Sequence, residues 1–437
     1  MSRKTSTADM TEAAKPALVP KLRFPEFQAA GDWTTEQLGT VAAVSTQKVG
    51  SNICVPMSIT SGVGLVSQED KFGRVIAGDS YKNYLLLKPN EFAYNKSATK
   101  EYPEGFLTLY MGTELAAVPN SIFTCFRING ESPDVRFLNY QFSDNLHGRW
   151  LRKFIQVGAR AHGSLSINEG DLMALPVPIP AGTTSLVEQQ KIADCLSSVD
   201  ELIATQARKV DALKTHKNGL MQQLFPREGE TQPRFRFLEF RNAGEWGAKT
   251  LGELVEVASG QVDPTQLPYC DFPQVGSENI ESNSGKLVNV MSAGERGVIS
   301  GNYAFNKTDV LYSKIRPALN KAAAPTFEGI CSADIYPIRP TDDGLLRSYL
   351  LHLLLSPKFL EYAIRNSERG KIPKINRDGL LSYEALIPSP SEQHRIASCL
   401  TSLDTLITAE SQKLEALKTH KKGLMQQLFP APEAVAP

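Results

Sequence analysis

Four clusters along the sequence combine basic residues with aromatic or amide side chains, which are residue types that can contact nucleic acid. Arginine and lysine bind phosphates and guanine edges, and asparagine or glutamine can pair with adenine. A single charged run is usually a solvated surface, but such clusters occur in both halves of this chain. We therefore predict DNA contacts from Asn95, Lys96, Lys100, Arg152, Arg160, Lys314, Arg316, Asn320, Lys321, Lys371 and Lys374.

The sequence lacks the common motifs of catalytic and metal sites. It has no glycine-rich phosphate loop ending in GK[ST], no HExxH and no GxSxG. It also has no Asn-Pro-Pro-aromatic segment of the kind that amino-methyltransferases use. The cysteines and histidines lack metal-ligand spacing, and His216 and His420 are better explained as cations near helix ends. We predict a non-catalytic chain with no metal and no cofactor of its own.

The composition is typical of a globular protein and excludes a membrane protein. Lys plus Arg and Asp plus Glu both number 47, so the formal charges cancel and any DNA surface must be local. The longest apolar stretch is too short to cross a bilayer. The first 20 residues have no apolar signal region and suggest a disordered tail. Isolated cysteines favour reduced thiols and a cytoplasmic location.

An internal repeat organises the chain. Residues 188–226 recur at 392–430 with an offset of 204, and 25 of 39 positions are identical. Upstream, residues 21–39 match residues 234–252 with an offset of 213. The regions between these segments have diverged. This distribution indicates that the repeated segments share one task, whereas the variable regions differ in theirs.

The repeated segment has the pattern of a long helix with a hydrophobic seam of period 3.5. Each copy begins after a proline-rich turn and ends at Pro226 or Pro430. The seam positions are Ile192, Leu196, Val199, Ile203, Val210, Leu213, Leu220, Leu224, Ile396, Leu400, Leu403, Ile407, Leu414, Leu417, Leu424 and Leu428. Polar residues interrupt the seam at matching positions in both copies, namely Gln206, Lys217, Glu410 and Lys421.

Such a seam needs a partner, and the other copy is the obvious one. The alternative is two independent surface helices, each packed on its own domain. A helix of about 38 residues is roughly 57 Å long, which suits a spacer. The variable regions mix short alternating runs with Gly, Asn and Pro, followed by helical stretches at 140–156 and 345–366. We predict α+β domains with curled sheets for them.

These segments together resemble the specificity (S) subunits of type I restriction-modification enzymes. Two variable domains, each opened by an RFxEFxxxGxW segment, are each followed by EQxxIAxxLxxxDxLI and KxxALKxxKxGLMQQLFP. The resemblance covers about residues 20–430, and the helical motif carries most of it. It implies two target recognition domains separated by two long helices that form an antiparallel coiled coil.

The resemblance assigns a role to each segment. It implies tails at 1–20 and 431–437, a linker at 227–233, target recognition domains at 21–187 and 234–391, and conserved helices at 188–226 and 392–430. The two domains would read the halves of an asymmetric, bipartite DNA site. Two modification (M) subunits would carry S-adenosylmethionine and methylate adenine. Restriction (R) subunits would use ATP and Mg to translocate and cleave DNA.

Two other interpretations of the sequence stay open. The chain could be the specificity subunit of a methylation-only or type IIB-like system, which the sequence does not distinguish from a type I system. It could also be a scaffold whose coiled coil joins two domains that do not bind DNA. The half-site sequences are beyond what one sequence shows, because base readout depends on which side chains reach base edges.

Overall fold

The computed structural model describes residues 18–60, 62–155, 165–367 and 370–431. The chain forms two compact units. Unit 1 contains residues up to Ala204 together with residues from Glu415 onward, and unit 2 contains Thr205–Leu414. Both units combine helices with β-sheets, which confirms the predicted α+β class. The division falls inside the two long helices, so each helix contributes to both units.

Unit 1 begins with short elements that build its sheets. Its strands are β1 (Thr34–Gln37), β2 (Ala42–Ser45), β3 (Val55–Thr60), β4 (Gly64–Ser67), β5 (Leu85–Leu87), β6 (Phe92–Asn95), β7 (Phe106–Leu109), β8 (Ala116–Val118), β9 (Phe123–Ile128) and β10 (Pro176–Ile179). Its helices are α1 (Leu38–Val41), α2 (Gln68–Phe72), α3 (Val135–Ser143), α4 (Leu146–Leu151), α5 (Glu169–Met173) and the first part of α6 (Ser185–Leu224). Short 3-10 helices cover Pro25–Phe27, Asp79–Asn83 and Arg152–Phe154.

Aromatic residues on neighbouring strands form the main core of unit 1. The strand orders are β2-β9-β6-β7, β4-β3-β8-β5 and β1-β10, and β3 and β8 are the parallel pair among the described strands of unit 1. Phe92 of β6 lies opposite Phe126 of β9, and their rings stack with centroids 5.1 Å apart. Burying one such side chain stabilises a fold by about 1.5–3 kcal/mol. Leu196, Leu428 and Phe429 join the same core, so both long helices pack on it.

Unit 2 repeats this design with different sequences. Its strands are β11 (Gly247–Thr250), β12 (Val255–Val257), β13 (Gln261–Val262), β14 (Pro273–Val275), β15 (Met291–Ser292), β16 (Asn302–Phe305), β17 (Val310–Ser313), β18 (Ala322–Ala323), β19 (Gly329–Ser332), β20 (Ile335–Pro340) and β21 (Glu384–Ile387). Its helices are α7 (Leu251–Leu254), α8 (Ala293–Arg296), α9 (Arg347–Leu354), α10 (Pro357–Arg365), α11 (Arg377–Leu381) and the first part of α12 (Pro390–Leu428). Its 3-10 helices are Leu238–Phe240, Tyr269–Asp271, Ser277–Asn279 and Pro317–Leu319.

The sheets of unit 2 have the orders β12-β20-β17-β18, β13-β16-β19-β14-β15 and β11-β21. Tyr312 of β17 lies opposite Tyr336 of β20 in an antiparallel register. The ring of Tyr312 also contacts Phe359 of α10 edge-on, with centroids 5.3 Å apart. Leu224 and Leu400 lie in the same core. As in unit 1, one segment from each long helix packs on the sheet.

The helical stretches predicted at 140–156 and 345–366 are each broken into two helices. In unit 1, Asn145 takes a left-handed conformation with φ 63° between α3 and α4. In unit 2, the Ser356 side chain accepts a bond from the Phe359 amide, and Pro357 is the first residue of α10. A capping serine followed by proline is a common helix start. No helix among the described residues is long and apolar enough to cross a membrane.

Candidate nucleic-acid interface

A buried ion pair attaches the start of α6 to the N-terminal segment of unit 1. Arg23 donates from Nε to Oε1 and from Nη2 to Oε2 of Glu188, each over 2.7 Å. Trp33 Nε1 donates to the same carboxylate over 3.3 Å. Bidentate charge-assisted bonds are about twice as strong as neutral ones, and the bond to Glu188 raises the pKa of Arg23. Three side chains therefore fix the first turn of the helix.

The second copy reproduces this anchor in unit 2. Arg236 donates to both carboxylate oxygens of Glu392 over 2.8 Å, and its pKa is raised by that bond. Arg236 is the repeat equivalent of Arg23 at the offset of 213, and Glu392 is the equivalent of Glu188 at the offset of 204. The tryptophans differ, because Trp246 Nε1 is buried without a hydrogen-bond partner among the described residues.

A glutamine next to each anchoring glutamate binds the start of another helix. Gln189 Oε1 accepts from the backbone amide of Asp134, the N-cap of α3, over 2.8 Å. Gln393 Oε1 accepts from the amide of Leu346, the N-cap of α9, over 2.8 Å. Both glutamines are fully buried. The repeated Glu-Gln pair is therefore structural and connects each long helix to the domain that precedes it.

Two polar seam residues that occupy the same repeat position meet each other in unit 2. Gln206 Nε2 donates to Glu410 Oε2 over 2.6 Å and to its backbone carbonyl over 2.9 Å. Lys209 adds an ion pair with Glu410 Oε1 over 2.5 Å. These bonds, led by the one from Lys209, lower the pKa of Glu410.

The polar lysines of the seam form ion pairs that are also related by the repeat. In unit 2, Lys217 Nζ lies 2.6 Å from Asp404 Oδ1. In unit 1, the equivalent Lys421 lies 2.6 Å from Asp200 Oδ1. Within unit 2, Gln206 of α6 pairs with Glu410 of α12, and the later Lys217 pairs with the earlier Asp404. The two helices therefore run antiparallel. The unit 2 pair is the more buried, with lysine side chains 6% and 23% exposed respectively.

The residue near each ion pair differs between the two units. In unit 1, the Tyr140 hydroxyl donates to Asp200 Oδ2 over 2.9 Å. Tyr140 lies six residues after Asp134, whose amide binds Gln189. The residue at the same distance after Leu346, whose amide binds Gln393, is His352. His352 Nε2 lies 3.2 Å from Thr401 Oγ1, and its Nδ1 is buried without a partner among the described residues. Burial, with a further contribution from the Lys217 charge, lowers the pKa of His352 to about 3.

The apolar seam residues are shielded from solvent along both helices. Every one of the predicted seam positions is buried or half-buried. The fully buried ones are Ile192, Leu196, Val210, Leu224, Ile396, Leu400, Ile407 and Leu428. The half-buried ones are Val199, Ile203, Leu213, Leu220, Leu403, Leu414, Leu417 and Leu424. This placement fits helices that bury one face against each other and against the domain cores.

The structure distributes the predicted DNA-contacting residues of unit 1 over several environments. Asn95 is buried on β6, and its Oδ1 accepts from the Ser97 amide over 2.9 Å. It is therefore a turn-stabilising residue and not a surface group. Lys96 is half-buried, Lys100 is exposed, and Arg152 pairs with the buried carboxylate of Glu104. Arg160 lies outside the described residues.

In unit 2, three of the predicted residues are used inside the domain. Asn320 is buried, and its Nδ2 donates to Asn283 Oδ1 over 2.9 Å and to the Leu355 carbonyl over 3.0 Å. Lys321 Nζ donates to the Ser277 carbonyl over 2.6 Å. Lys314 Nζ lies 5.2 Å from the centre of the Tyr336 ring. Asn320, like Asn95, does not face solvent, so its predicted base contact is not supported.

The remaining three predicted residues of unit 2 come together on two adjacent segments. Arg316 donates its backbone amide to the Pro373 carbonyl over 2.7 Å, and the Ile375 amide donates to the Lys314 carbonyl over 3.0 Å. The segment that carries Lys371 and Lys374 therefore lies beside the loop after β17. The side chains of Arg316, Lys371 and Lys374 are exposed.

Unit 1 uses the same backbone arrangement at Lys96. The Lys96 amide donates to the Ile122 carbonyl, and its carbonyl accepts from the Leu165 amide over 2.7 Å. Lys314 makes the equivalent pair of bonds with Asp334 and Ile375. The two lysines thus occupy matching places after matching strands, as the similarity of residues 90–96 and 308–314 indicates.

Sequence reasoning missed the residues that hold the helices to the domains. Arg23, Glu188 and Gln189, and their equivalents in the second copy, are identical in both copies, and that identity was the available signal. Asp200 and Asp404 are also identical in both copies, but they flank the seam and look like solvated charges in the sequence. Among the described residues, no cluster of three or more His, Cys, Asp or Glu could hold a metal ion.

Comparison with known proteins gives consistent matches. Residues 243–419 match the model of the type I restriction modification DNA specificity domain. The type I restriction enzyme EcoDI specificity subunit of Escherichia coli is 24% identical over 91% of this chain and 88% of its own length. A putative type I restriction enzyme MjaX specificity subunit of Methanocaldococcus jannaschii is 26% identical over 65% of each chain.

Solved structures share the fold. The crystal structure of a type I restriction-modification S subunit from M. genitalium matches with a TM-score of 0.56 at 13% identity, over 94% of this chain and 99% of that one. A chain from a study of assembly and conformational transition of a type I R-M system matches with a TM-score of 0.55 at 16% identity, over 92% and 98%. Residues 243–419 thus match a type I restriction modification DNA specificity domain, and over 91% of its length the chain is similar to a type I restriction enzyme specificity subunit.

Proposed function

We propose that this chain reads an asymmetric, bipartite DNA sequence, with one half-site bound by each sheet-rich domain. The observation that carries the proposal is the combination of identical helix anchors with divergent domains. The Arg23–Glu188 and Arg236–Glu392 pairs hold the helices in the same way in both units. The regions between the repeated segments differ in sequence, as expected if the two domains bind different half-sites.

The predicted domain boundaries become part of this proposal. Residues 21–187 and 234–391 are the proposed readers, and the conserved helices at 188–226 and 392–430 are the proposed docking surfaces for M subunits. The spacer role that the helix length suggests stays a prediction. In unit 2, Arg316, Lys371 and Lys374 supply an exposed basic surface. Phosphate neutralisation by such a surface would make binding fall steeply with salt.

We further propose that two M subunits and, in a restriction-active system, R subunits assemble on this chain. S-adenosylmethionine would bind to the M subunits, and ATP and Mg to the R subunits. The S subunit would then direct adenine methylation and DNA cleavage to the sequence it reads. DNA and these partners share the cytoplasm of a prokaryotic cell, so we propose that location.

The test is to co-express the chain with its M subunit and to map N6-methyladenine across the host genome by single-molecule sequencing. We expect one bipartite motif with a fixed unspecified gap. A complex that forms but methylates no defined motif would contradict the proposal. A chain that binds neither the M subunit nor duplex DNA would favour the scaffold alternative.

A type I system and a methylation-only or type IIB-like system would give the same methylation map. Binding of a purified R subunit to the chain–M complex separates them, and ATP-dependent cleavage of unmethylated DNA would show a complete type I system.

A further inference from the structure

Two exposed aliphatic side chains lie among the basic residues of unit 2. Leu319 is 42% exposed on the loop between β17 and β18, and Ile372 is 47% exposed on the segment before α11. The bond from the Arg316 amide to the Pro373 carbonyl joins these two parts of the chain. We call residues 314–321 and 370–375 the cationic loop pair. Covering an exposed leucine or isoleucine with an apolar ligand group is favourable.

The loop that carries Leu319 is held in one conformation. Arg316 and Asn320, at its two ends, have φ values of 49° and 47°. Asparagine tolerates this left-handed region, but arginine is rare there, and such strain persists only where surrounding contacts impose it. The Asn283 amide donates to the Asn320 carbonyl over 2.9 Å, in addition to the two bonds that Asn320 Nδ2 makes. The loop is therefore anchored to two other parts of unit 2.

The cations of this surface are available for a ligand. The side chains of Arg316 and Lys371 are exposed and have no hydrogen-bond or ion-pair partner among the described residues. By contrast, Lys314 and Lys321 are held by Tyr336 and Ser277. Unpartnered cations on the same two segments as exposed aliphatic groups complement a polyanion whose interior edges carry apolar groups. Duplex DNA has that chemistry, with phosphates outside and thymine methyl groups in the major groove.

We propose that Leu319 and Ile372 contact the 5-methyl group of thymine in the half-site that unit 2 reads, while Arg316 and Lys371 bind the flanking phosphates. The inference rests on the proposed function, and it names the base feature that this domain recognises. The thymine methyl is the chosen partner because it is the apolar group that base-pair edges present in the grooves. The half-site read by unit 2 then has a thymine at the position that Leu319 and Ile372 contact.

The test uses the full chain in complex with its M subunits and duplexes that carry the motif recovered from methylation mapping. In these duplexes, each thymine of each half-site is replaced in turn by uracil, which removes only the methyl group. For the wild-type complex we expect about fourfold weaker binding at one thymine, because one buried methyl group is worth about that factor. The Leu319→Ala/Ile372→Ala variant should bind the thymine and uracil duplexes equally.

Two further variants separate base contacts from phosphate contacts. Arg316→Gln and Lys371→Gln should each reduce the slope of log affinity against log salt by about 0.9, equally for cognate and scrambled duplexes. Leu319→Ala/Ile372→Ala should leave that slope unchanged and should weaken only cognate binding. As a matched control, Leu267→Ala/Ile299→Ala removes two other exposed aliphatic side chains of unit 2, and we expect it to behave as wild type.

The outcomes distinguish this proposal from the proposed function. If the wild-type complex does not discriminate cognate from scrambled duplexes, the proposed function fails. If it discriminates, but uracil has no effect or the Leu319→Ala/Ile372→Ala variant keeps the full uracil effect, the thymine-methyl contact is wrong. An equal loss in the Leu267→Ala/Ile299→Ala control would also overturn it, because the loss would then not be specific to the cationic loop pair.

Discussion

Gln206 and Glu410 occupy the same position in the two copies of the repeat and bind each other, with 2.6 Å between Gln206 Nε2 and Glu410 Oε2. Antiparallel pairing of two equivalent helices brings one repeat position opposite itself near the middle. An identical pair of glutamates there would repel, whereas glutamine donates to glutamate and Lys209 neutralises the remaining charge. Divergence at this single position therefore suits the pairing of two different helices.

This relationship predicts the outcome of exchanging the two side chains. Gln206→Glu places two carboxylates together and should lower the free energy of unfolding by about 1–2 kcal/mol, the range for an unpaired or repelled polar group. Adding Glu410→Gln should restore most of it, because Lys413 is the repeat equivalent of Lys209 and can neutralise the new glutamate. Denaturant unfolding of wild type, Gln206→Glu, Glu410→Gln and the double variant measures the interaction between the two positions. An exchanged variant as unstable as Gln206→Glu would refute this account.

The two lysine ion pairs should differ in their contribution to stability. Removing Lys217 leaves Asp404 half-buried and without its cation, which typically costs about 3 kcal/mol for buried pairs. Lys421 and Asp200 are 23% and 43% exposed, so Lys421→Met should cost about 1 kcal/mol or less. Lys217→Met is the matched variant, and thermal unfolding compares the two. Equal losses would show that burial does not control these pairs.

The two anchoring tryptophans provide a second matched pair. Trp33→Phe removes a hydrogen bond to Glu188 and should cost about 1 kcal/mol beyond the loss of ring area. Trp246→Phe removes a buried N–H that has no partner among the described residues, so the smaller ring should be tolerated better. Chemical unfolding of both variants tests this order. A larger loss for Trp246→Phe would indicate that its indole N–H has a bonding role.

Two buried histidines should make the fold sensitive to acid. Burial lowers the pKa of His147 to about 4 and that of His352 to about 3. The unfolded chain takes up protons at these positions below its ordinary value of about 6.5, whereas the folded chain does not. Stability should therefore fall as pH drops from about 6.5 toward 4, by about 2 kcal/mol per histidine at pH 5.

The test of this pH dependence compares wild type with His352→Tyr and His147→Phe. Tyrosine occupies the equivalent position in unit 1, and phenylalanine preserves the ring contacts that His147 makes with Tyr94 and Phe142. Each variant should lose less stability than wild type between pH 7 and pH 5. Parallel curves for all three proteins would mean that other groups govern the acid response. Asp404 is present in all three, so its raised pKa does not affect the comparison.

The sequence alone determined the long helices, their seam and the existence of two α+β domains. Heptad spacing and a repeated segment are local signals, because helix periodicity and side-chain type decide them. The break at Ser356 was missed, although a capping serine before proline starts a helix and was an available signal. The sequence did not reveal the partners of the seam lysines. Asp200 and Asp404 resemble solvated charges in the sequence, and only the pairing of the helices brings them to Lys421 and Lys217.

The tertiary structure decided which polar residues face inward. Asn95, Asn320 and Lys321 looked like candidates for DNA contact by residue type, but both asparagines are buried and Lys321 binds the Ser277 carbonyl. Arg316 and Lys371 have the same residue chemistry and remain exposed, because backbone bonds place their segments together at the surface. Residue type specifies what a side chain can bind, whereas contacts between distant parts of the chain specify whether a ligand can reach it.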